Sequence, residues 1–203
     1  MKVIRSINNL ANTKKNCAVT IGNFDGIHKG HTSLINKIIS YSKKYSLVPT
    51  VITFEPLPEE YFQKANFKRL MRLKEKLLIF KEHGIKQVLC LNFNKRFSKI
   101  SAEEFISMIL IQKLDTKYLI VGSDFRFGHN REGNYNLLKS YSKKTEMKVE
   151  NIKLINTNGS KIGSTRIREA LSSGDIELAN KLIGRPFSIS GTVVHGEKLG
   201  KRL

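Results

Sequence analysis

The sequence predicts an α/β fold, a parallel sheet with helices on both faces. Three observations predict it. Four short, strongly apolar runs recur along the chain, separated by longer amphipathic stretches. The runs are apolar at successive positions, as strands buried on both faces are. Strand and helix alternate, and a parallel pair needs a crossover between its strands, usually a helix.

The elements follow in order. Cys17 to Gly22 is the first run, Val48 to Phe54 the second, Gln87 to Asn92 the third and Tyr118 to Gly122 the fourth, with a weaker fifth from Val149 to Ile155. Between them, residues 31–45 place Leu34, Ile35, Ile38 and Ile39 near one stripe, with the lysines mostly off it. Residues 72–83 set Leu73, Leu77, Leu78 and Phe80 among Lys and Glu. Ser101-Ala-Glu-Glu104 is a capping box ahead of Phe105, Ile106, Ile109 and Leu110. Residues 135–145 form a weaker helix. Ser164 and Thr165 can cap a short helix closed by Gly174, and Asp175 can cap another ending at Gly184 and Pro186. In such a sheet, ligands bind beyond the carboxyl ends of the strands. The loops after Ile21, Phe54, Asn92 and Val121 are therefore where chemistry is expected.

The 203 residues suit one domain, or one domain plus a fragment, and need no staples to bury a core. Lys plus Arg is 36 against 17 for Asp plus Glu, a formal charge of +19. That excess predicts attraction to nucleotides, nucleic acid or acidic membrane, although scattered lysines also make a plain solvated surface. No apolar stretch is long enough for a membrane span, and none follows Met1–Ser6 as a secretory signal requires. Cys17 and Cys90 read as reduced core thiols of a cytosolic protein, and no CxxC or HExxH suggests structural zinc.

Four segments carry chemistry. Thr20 to His31 follows a strand and opens a helix; Gly22, Gly26 and Gly30 allow close backbone approach. His28 and His31 stand i, i+3 on the first turn, beside free amides and the positive end of the helix dipole, which suits a phosphate. Lys161 to Arg168 puts Arg166 and Arg168 in the first turns of a helix, where basic residues are unfavourable unless an anion lies between them. Val121 to Gly128 offers Asp124, Phe125 and Phe127 on the same rim; a ligand contact and a loop staple packed on the core both fit these residues. Phe54 to Phe62 is a loop stiffened by two prolines and carrying Tyr61 and Phe62.

Taken together, GNFDGIHKGH, FEPLP, VGSDFRFG and STRIR resemble the adenylyltransferase module of prokaryotic bifunctional riboflavin kinase/FAD synthetases, over residues 1 to about 184. The family pattern usually has Ser-Ser-Thr where this chain has Gly163-Ser164-Thr165, which removes one possible hydroxyl contact. The resemblance implies a Rossmann-like nucleotidyltransferase fold. It implies a cytoplasmic enzyme that converts ATP and FMN to FAD and pyrophosphate with Mg²⁺, with neither nucleic acid nor membrane as a partner. His28, His31 and Arg168 would then be catalytic. Gly22, Phe24, Asp25, Gly26, Gly30, Ser164 and Thr165 would join them in binding ATP, with Gly22, Phe24 and Gly30 lining the pocket by backbone approach. Pro56, Pro58 and Phe62 would form a mobile flavin-side loop, with Asp124, Phe125, Arg126 and Phe127 on the flavin and metal side. Mg²⁺ would be held mainly by the ATP phosphates.

Two other readings stay open on the residues alone. One is another nucleotidyltransferase bearing HxGH, such as a cytidylyltransferase. The other is a non-enzymatic basic module that binds RNA or nucleotides, which needs cations and exposed aromatics on one face. Residues 185–203 resemble the opening of a riboflavin kinase domain. They alternate as a strand does through Phe187–His195 and are too few for a core of their own. The expectation is a truncated second domain, poorly ordered from about Phe187, in a chain that makes FAD without phosphorylating riboflavin.

Overall fold

The central strand, β2 (Cys17–Ile21), is buried at every position, as its unbroken apolar run requires. The structure is a computed structural model that describes residues 1–6, 9, 15–63, 67–152, 156–157 and 160–193. Around β2 lie β1 (Lys2–Ile4), β3 (Val48–Phe54), β4 (Gln87–Leu91), β5 (Thr116–Gly122) and β6 (Lys148–Ile152), in the spatial order β1-β4-β3-β2-β5-β6, every pair parallel. From β2 the chain builds toward β3 and β4 on one side, and later toward β5 and β6 on the other. The crevice between the carboxyl ends of β2 and β5 is thus the topological switch point, where ligands of such sheets bind. A two-stranded hairpin of β7 (Asn156–Thr157) and β8 (Ser160–Lys161) stands apart from the sheet.

Alternate residues of each strand feed opposite faces. Val19, Ile21, Ile52, Leu89 and Leu119 meet Phe105, Ile106, Ile109, Leu110 and Leu138 on one side. Ala18, Val51, Val88 and Ile120 meet α1 (Lys29–Tyr45) and α3 (Leu73–Glu82) on the other, through Leu34, Ile35, Ile38 and Phe80. Both faces are covered, as predicted. A third cluster joins α6 (Ser164–Ser172) to α7 (Ile176–Ile183) through Ile167, Ala170, Ala179 and Leu182.

Local signals set most element ends. Ser101 Oγ accepts the Glu104 amide at 3.1 Å, and Glu104 accepts the Ser101 amide at 2.9 Å, closing the capping box of α4 (Ala102–Glu104). Asp175 accepts the Leu178 amide at 2.9 Å, and Gly184 ends α7 in the left-handed region. Residues 135–145 are represented by α5 (Tyr135–Ser142).

Five readings are corrected. A short edge strand, β1, was not anticipated: three residues carry too little pattern, and pairing with β4 defines it. The Phe54–Phe62 segment is not all loop, because Pro58 begins the helix α2 (Pro58–Gln63), where its missing N–H costs nothing. The helix after Ser101 widens into a π-helix over Phe105–Lys113, with the Leu114 amide donating to Ile109 O. Neither Ser164 nor Thr165 caps α6; the N-cap is Gly163, without a side-chain bond, and Ser164 Oγ is used elsewhere. Phe187 is not loose: its amide donates to Asn180 Oδ1 and its ring packs on the third cluster. Residues 188–193 form no strand. The expectations for residues 153–155 and 194–203 lie outside the described residues. Among those described, no helix is long and apolar enough to cross a membrane.

Candidate active site

The loop from Gly22 to His28 leaves β2 and enters α1. His28 is the N-cap of α1, and its Nδ1 accepts the His31 amide at 3.4 Å. A neutral imidazole that accepts at Nδ1 carries its proton at Nε2, which is then a donor. The rings of His28 and His31 stack at 3.7 Å, 20° apart, so the pair does face one way. Gly30 lets them do so, since a Cβ there would sit 3.1 Å from His28 Cε1. His31 also leans on the buried Phe24 ring, at 5.0 Å. Burial holds the His31 imidazole well below the usual histidine range, helped by His28 and Lys76, so it is neutral at pH 7. Its Nδ1 is buried and has no partner among the described residues. No acidic residue lies in the first turn of α1.

The loop is bent against its own preferences. Phe24 and Ile27 have φ of 49° and 36°, where a side chain is unfavourable, while Gly26 takes 82°, as glycine freely does. A β-branched residue at positive φ is an outlier costing about 1–3 kcal/mol, held only by surroundings that over-determine it. Those surroundings are visible. Lys76, 1 % exposed, donates its ammonium to Asn23 O at 2.7 Å. Ser164 Oγ donates to Asp25 O at 2.9 Å, and Arg185 donates to Gly26 O and Ile27 O, each at 2.8 Å. The buried Asp25 carboxylate accepts the Leu70 amide at 3.0 Å and the Met71 amide at 3.2 Å, and pairs with Arg168 Nη2 at 2.5 Å. Gly26 sits tightly under Leu70, whose Cδ1 would be 3.1 Å from a Cβ.

The structure therefore joins the HxGH loop to the start of α6, 139 residues away along the chain. Arg168 is held by Asp25, by Lys68 O at 2.7 Å and by the Phe67 ring 4.6 Å away. Thr165 is exposed at the opening of α6. Two residues of the expected ATP set have side chains engaged within the protein, and for Phe24 the expected contact is by backbone. The Phe24 side chain is core, and the Asp25 carboxylate is spent on two amides and an arginine. Lys76 was hidden among the charges of 72–83. The signal that could have found it is its register, since it shares a stripe with Leu73, Leu77 and Phe80.

Beyond the loop, a cleft of about 640 Å³ opens between the carboxyl ends of the strands. Gly22, Asn23, Pro58, Phe62, Asp124, Phe125, Arg126 and Phe127 are among the residues that line it, and Pro56 is not. Phe62, 68 % exposed, tilts edge-on to Phe93 at 5.8 Å, and Phe93 continues through Phe97 and Phe105 to Phe127. The two rings of the DFRFG loop are buried to different extents. Phe127 is buried against Phe105 as a staple, whereas Phe125 is half-buried and stacks on it at 5.4 Å. The FEPLP segment is anchored: Leu57 is fully buried, and Arg69 pairs with Glu55 and Glu60. Phe93 and Phe97 were missed, although they follow a strand end that was expected to carry chemistry.

Comparison with known proteins agrees with this geometry. A model of the FAD synthetase family matches residues 10–166. The chain is 46 % identical over 204 residues to the bifunctional riboflavin kinase/FMN adenylyltransferase of Buchnera aphidicola subsp. Acyrthosiphon pisum (strain APS), covering 100 % of this chain and 65 % of that protein. It is 42 % identical over 205 residues to the protein of the same name from Escherichia coli (strain K12), covering 66 % of it. The chain thus spans about two-thirds of the length of the curated relatives it matches. Among solved structures, it matches a protein described as a macrolide-efflux protein from Streptococcus pneumoniae with a TM-score of 0.86 and 29 % identity, over 97 % of this chain and 75 % of that one. A pantoate-beta-alanine ligase from Francisella tularensis matches with a TM-score of 0.53 and 17 % identity, over 100 % of this chain and 84 % of that one, a likeness of fold alone.

Proposed function

Because this chain belongs to the FAD synthetase family, we propose that it is an FMN adenylyltransferase, converting ATP and FMN to FAD and pyrophosphate. The observation that carries the reading is the junction of two anion-ready helix starts. α1 presents stacked His28 and His31, α6 presents Ser164 and Thr165, and Ser164 Oγ bonds the loop between them. An aromatic cleft adjoins that junction at Gly22 and Asn23.

In the reaction, an oxygen of the FMN phosphate attacks the α-phosphorus of ATP. The bond from that phosphorus to the bridging oxygen breaks, and pyrophosphate leaves. The attacking phosphate is already an anion, so no general base is needed, and catalysis is positioning and charge stabilisation. His28 and His31 donate to the phosphate oxygens as charge moves to the leaving group. A neutral His31 does this as a hydrogen-bond donor without first losing a proton. Ser164, Thr165 and Arg168 hold the terminal phosphates from the α6 side. For Arg168 this means exchanging some of its grip on Asp25 for the ligand. Phe62 and Phe125 flank the flavin ring.

Among the described residues, no group of three or more His, Cys, Asp or Glu could hold a metal ion. Such a surface fits a magnesium ion that would arrive on ATP, and Asp124, on the rim of the cleft, is the carboxylate that would help hold it. When bound, Mg²⁺ supplies charge neutralisation to the pyrophosphate. Residues 1–184 supply the groups that meet the substrates in this reading, and the segment from Arg185 resembles the opening of a riboflavin kinase unit. Cys17 and Cys90, both buried and unbridged, suit a reducing cytoplasm.

The test is to incubate the purified protein with FMN, ATP and Mg²⁺ and follow FAD and pyrophosphate by chromatography. FAD formation is the expected result. Turnover with CTP in place of ATP, or no product, would contradict the reading.

A further inference from the structure

We propose that Arg185 is a positioning residue for adenylyl transfer, which couples the chain beyond α7 to the phosphate loop; this rests on the FMN adenylyltransferase reading above. The guanidinium of Arg185 donates through Nη1 to Ile27 O and through Nη2 to Gly26 O, both at 2.8 Å. These are consecutive carbonyls, and the residue after them is His28, the N-cap of α1. A planar fork with two parallel donors fixes the orientation of both peptide groups at once, which a single point charge does not do.

The location matters as much as the bonds. Ile27 is a β-branched residue at a φ of 36°, the least favourable backbone of the loop, and Gly26 before it takes a positive φ as only glycine does freely. A strained backbone persists only where neighbours hold it. Lys76 holds Asn23 O and Ser164 holds Asp25 O, which leaves the two carbonyls nearest His28 to Arg185. Burial lowers the pKa of Arg185, consistent with a guanidinium withdrawn from water to serve neutral carbonyls.

Arg185 also lies outside the residues 10–166 that match the family model. It follows Gly184, whose backbone packs against the Lys29 side chain at the start of α1, and it precedes Phe187, anchored on Asn180. Further on, Ser190 binds Glu75 of α3, the helix that also carries Lys76. The segment after α7 thus touches the elements that shape the phosphate loop, and movement of this segment would be felt at His28.

The experiment compares the wild type, Arg185→Ala and Arg185→Lys. In Arg185→Ala, kcat for FAD formation should fall roughly 10- to 10²-fold, the scale of a small misplacement at the reacting centre, with KM for FMN unchanged. Millimolar guanidinium, below denaturing levels, should restore part of the kcat of Arg185→Ala and none of that of His31→Ala. Arg185→Lys, which can reach one carbonyl, should fall between. The His28 ring C–H resonance should shift in both variants. Wild-type kcat in Arg185→Ala with an unmoved His28 resonance would overturn the proposal. So would a loss that matches the unfolded fraction, with no guanidinium rescue and the resonance unmoved. If Arg185→Ala does not fold, Arg185→Lys carries the same readouts. If the wild type makes no FAD, the adenylyltransferase reading fails, and the His28 resonance still decides whether Arg185 sets the loop.

Discussion

The phosphate corner and the aromatic cleft meet at Gly22 and Asn23, yet they are built by opposite means. The corner is a strained loop tied down by buried polar groups: Asp25 on two amides and Arg168, Lys76 on Asn23 O, Arg185 on two carbonyls. The cleft is a row of phenylalanines drawn from four stretches of chain, ending in a ring that is 68 % exposed. A charged, in-line displacement rewards donors fixed in advance, because they need not reorganise as charge moves. A flat ring needs only apolar area and a face to stack on, and an exposed aromatic supplies both. Rigidity is therefore spent where charge develops.

This contrast can be broken experimentally. The largest effect is expected at Asp25, the knot of the corner. Asp25→Ala orphans two buried amides and releases Arg168, so unfolding should become easier by about 3 kcal/mol in urea titration. Asp25→Asn should cost less, since an amide oxygen still accepts. A wild-type midpoint for Asp25→Ala would show that the corner is not tied there. Next is His31→Ala. Losing one fixed donor should lower turnover by roughly 10²-fold while circular dichroism stays unchanged; wild-type FAD synthesis would remove His31 from the mechanism.

Arg168→Ala should raise KM for ATP by roughly 10-fold, and far more than KM for FMN, with Arg168→Lys recovering part of the loss because it lacks the fork. Equal changes for both substrates would make Arg168 a structural partner of Asp25 alone. The smallest effect is on pH. The His31 pKa is depressed in the folded protein, so below about 6.5 the unfolded chain binds a proton that the folded one refuses. Stability should therefore decline as pH falls from 6.5, and His31→Gln should flatten that part of the curve. A bound polyanion favours the imidazolium, so ATP binding near pH 6 should take up protons, read from calorimetry in buffers of different ionisation enthalpy.

How much of this was legible in the sequence follows the same division. The corner could be read because its parts are local. Glycines, two histidines at i, i+3 and a helix start occupy a dozen consecutive residues, and the four main strand runs had only one way to be buried. Its clamps were harder to read: Lys76 is marked only by its register on an apolar stripe, and Arg185 looks like an ordinary cation until the fold brings it to two carbonyls. The cleft was half legible. Phe62 and Phe125 stood in proline- or glycine-marked loops, whereas Phe93 and Phe97 sit in an unmarked stretch, and packing alone aligns them with Phe105. β1 and the π-helix depend on neighbouring elements rather than on their own pattern.

The central claim is that the two regions bind different halves of the reaction. The most direct test is calorimetric binding of ATP and FMN, each alone, to the wild type, His31→Ala and Phe62→Ala. Phe62→Ala should weaken FMN binding by about 10-fold, the scale of one lost stacking contact, and leave ATP binding unchanged, while His31→Ala should weaken ATP and spare FMN. If Phe62→Ala weakens ATP as much as FMN, or His31→Ala weakens both alike, the corner and the cleft are one undivided site and the account is contradicted.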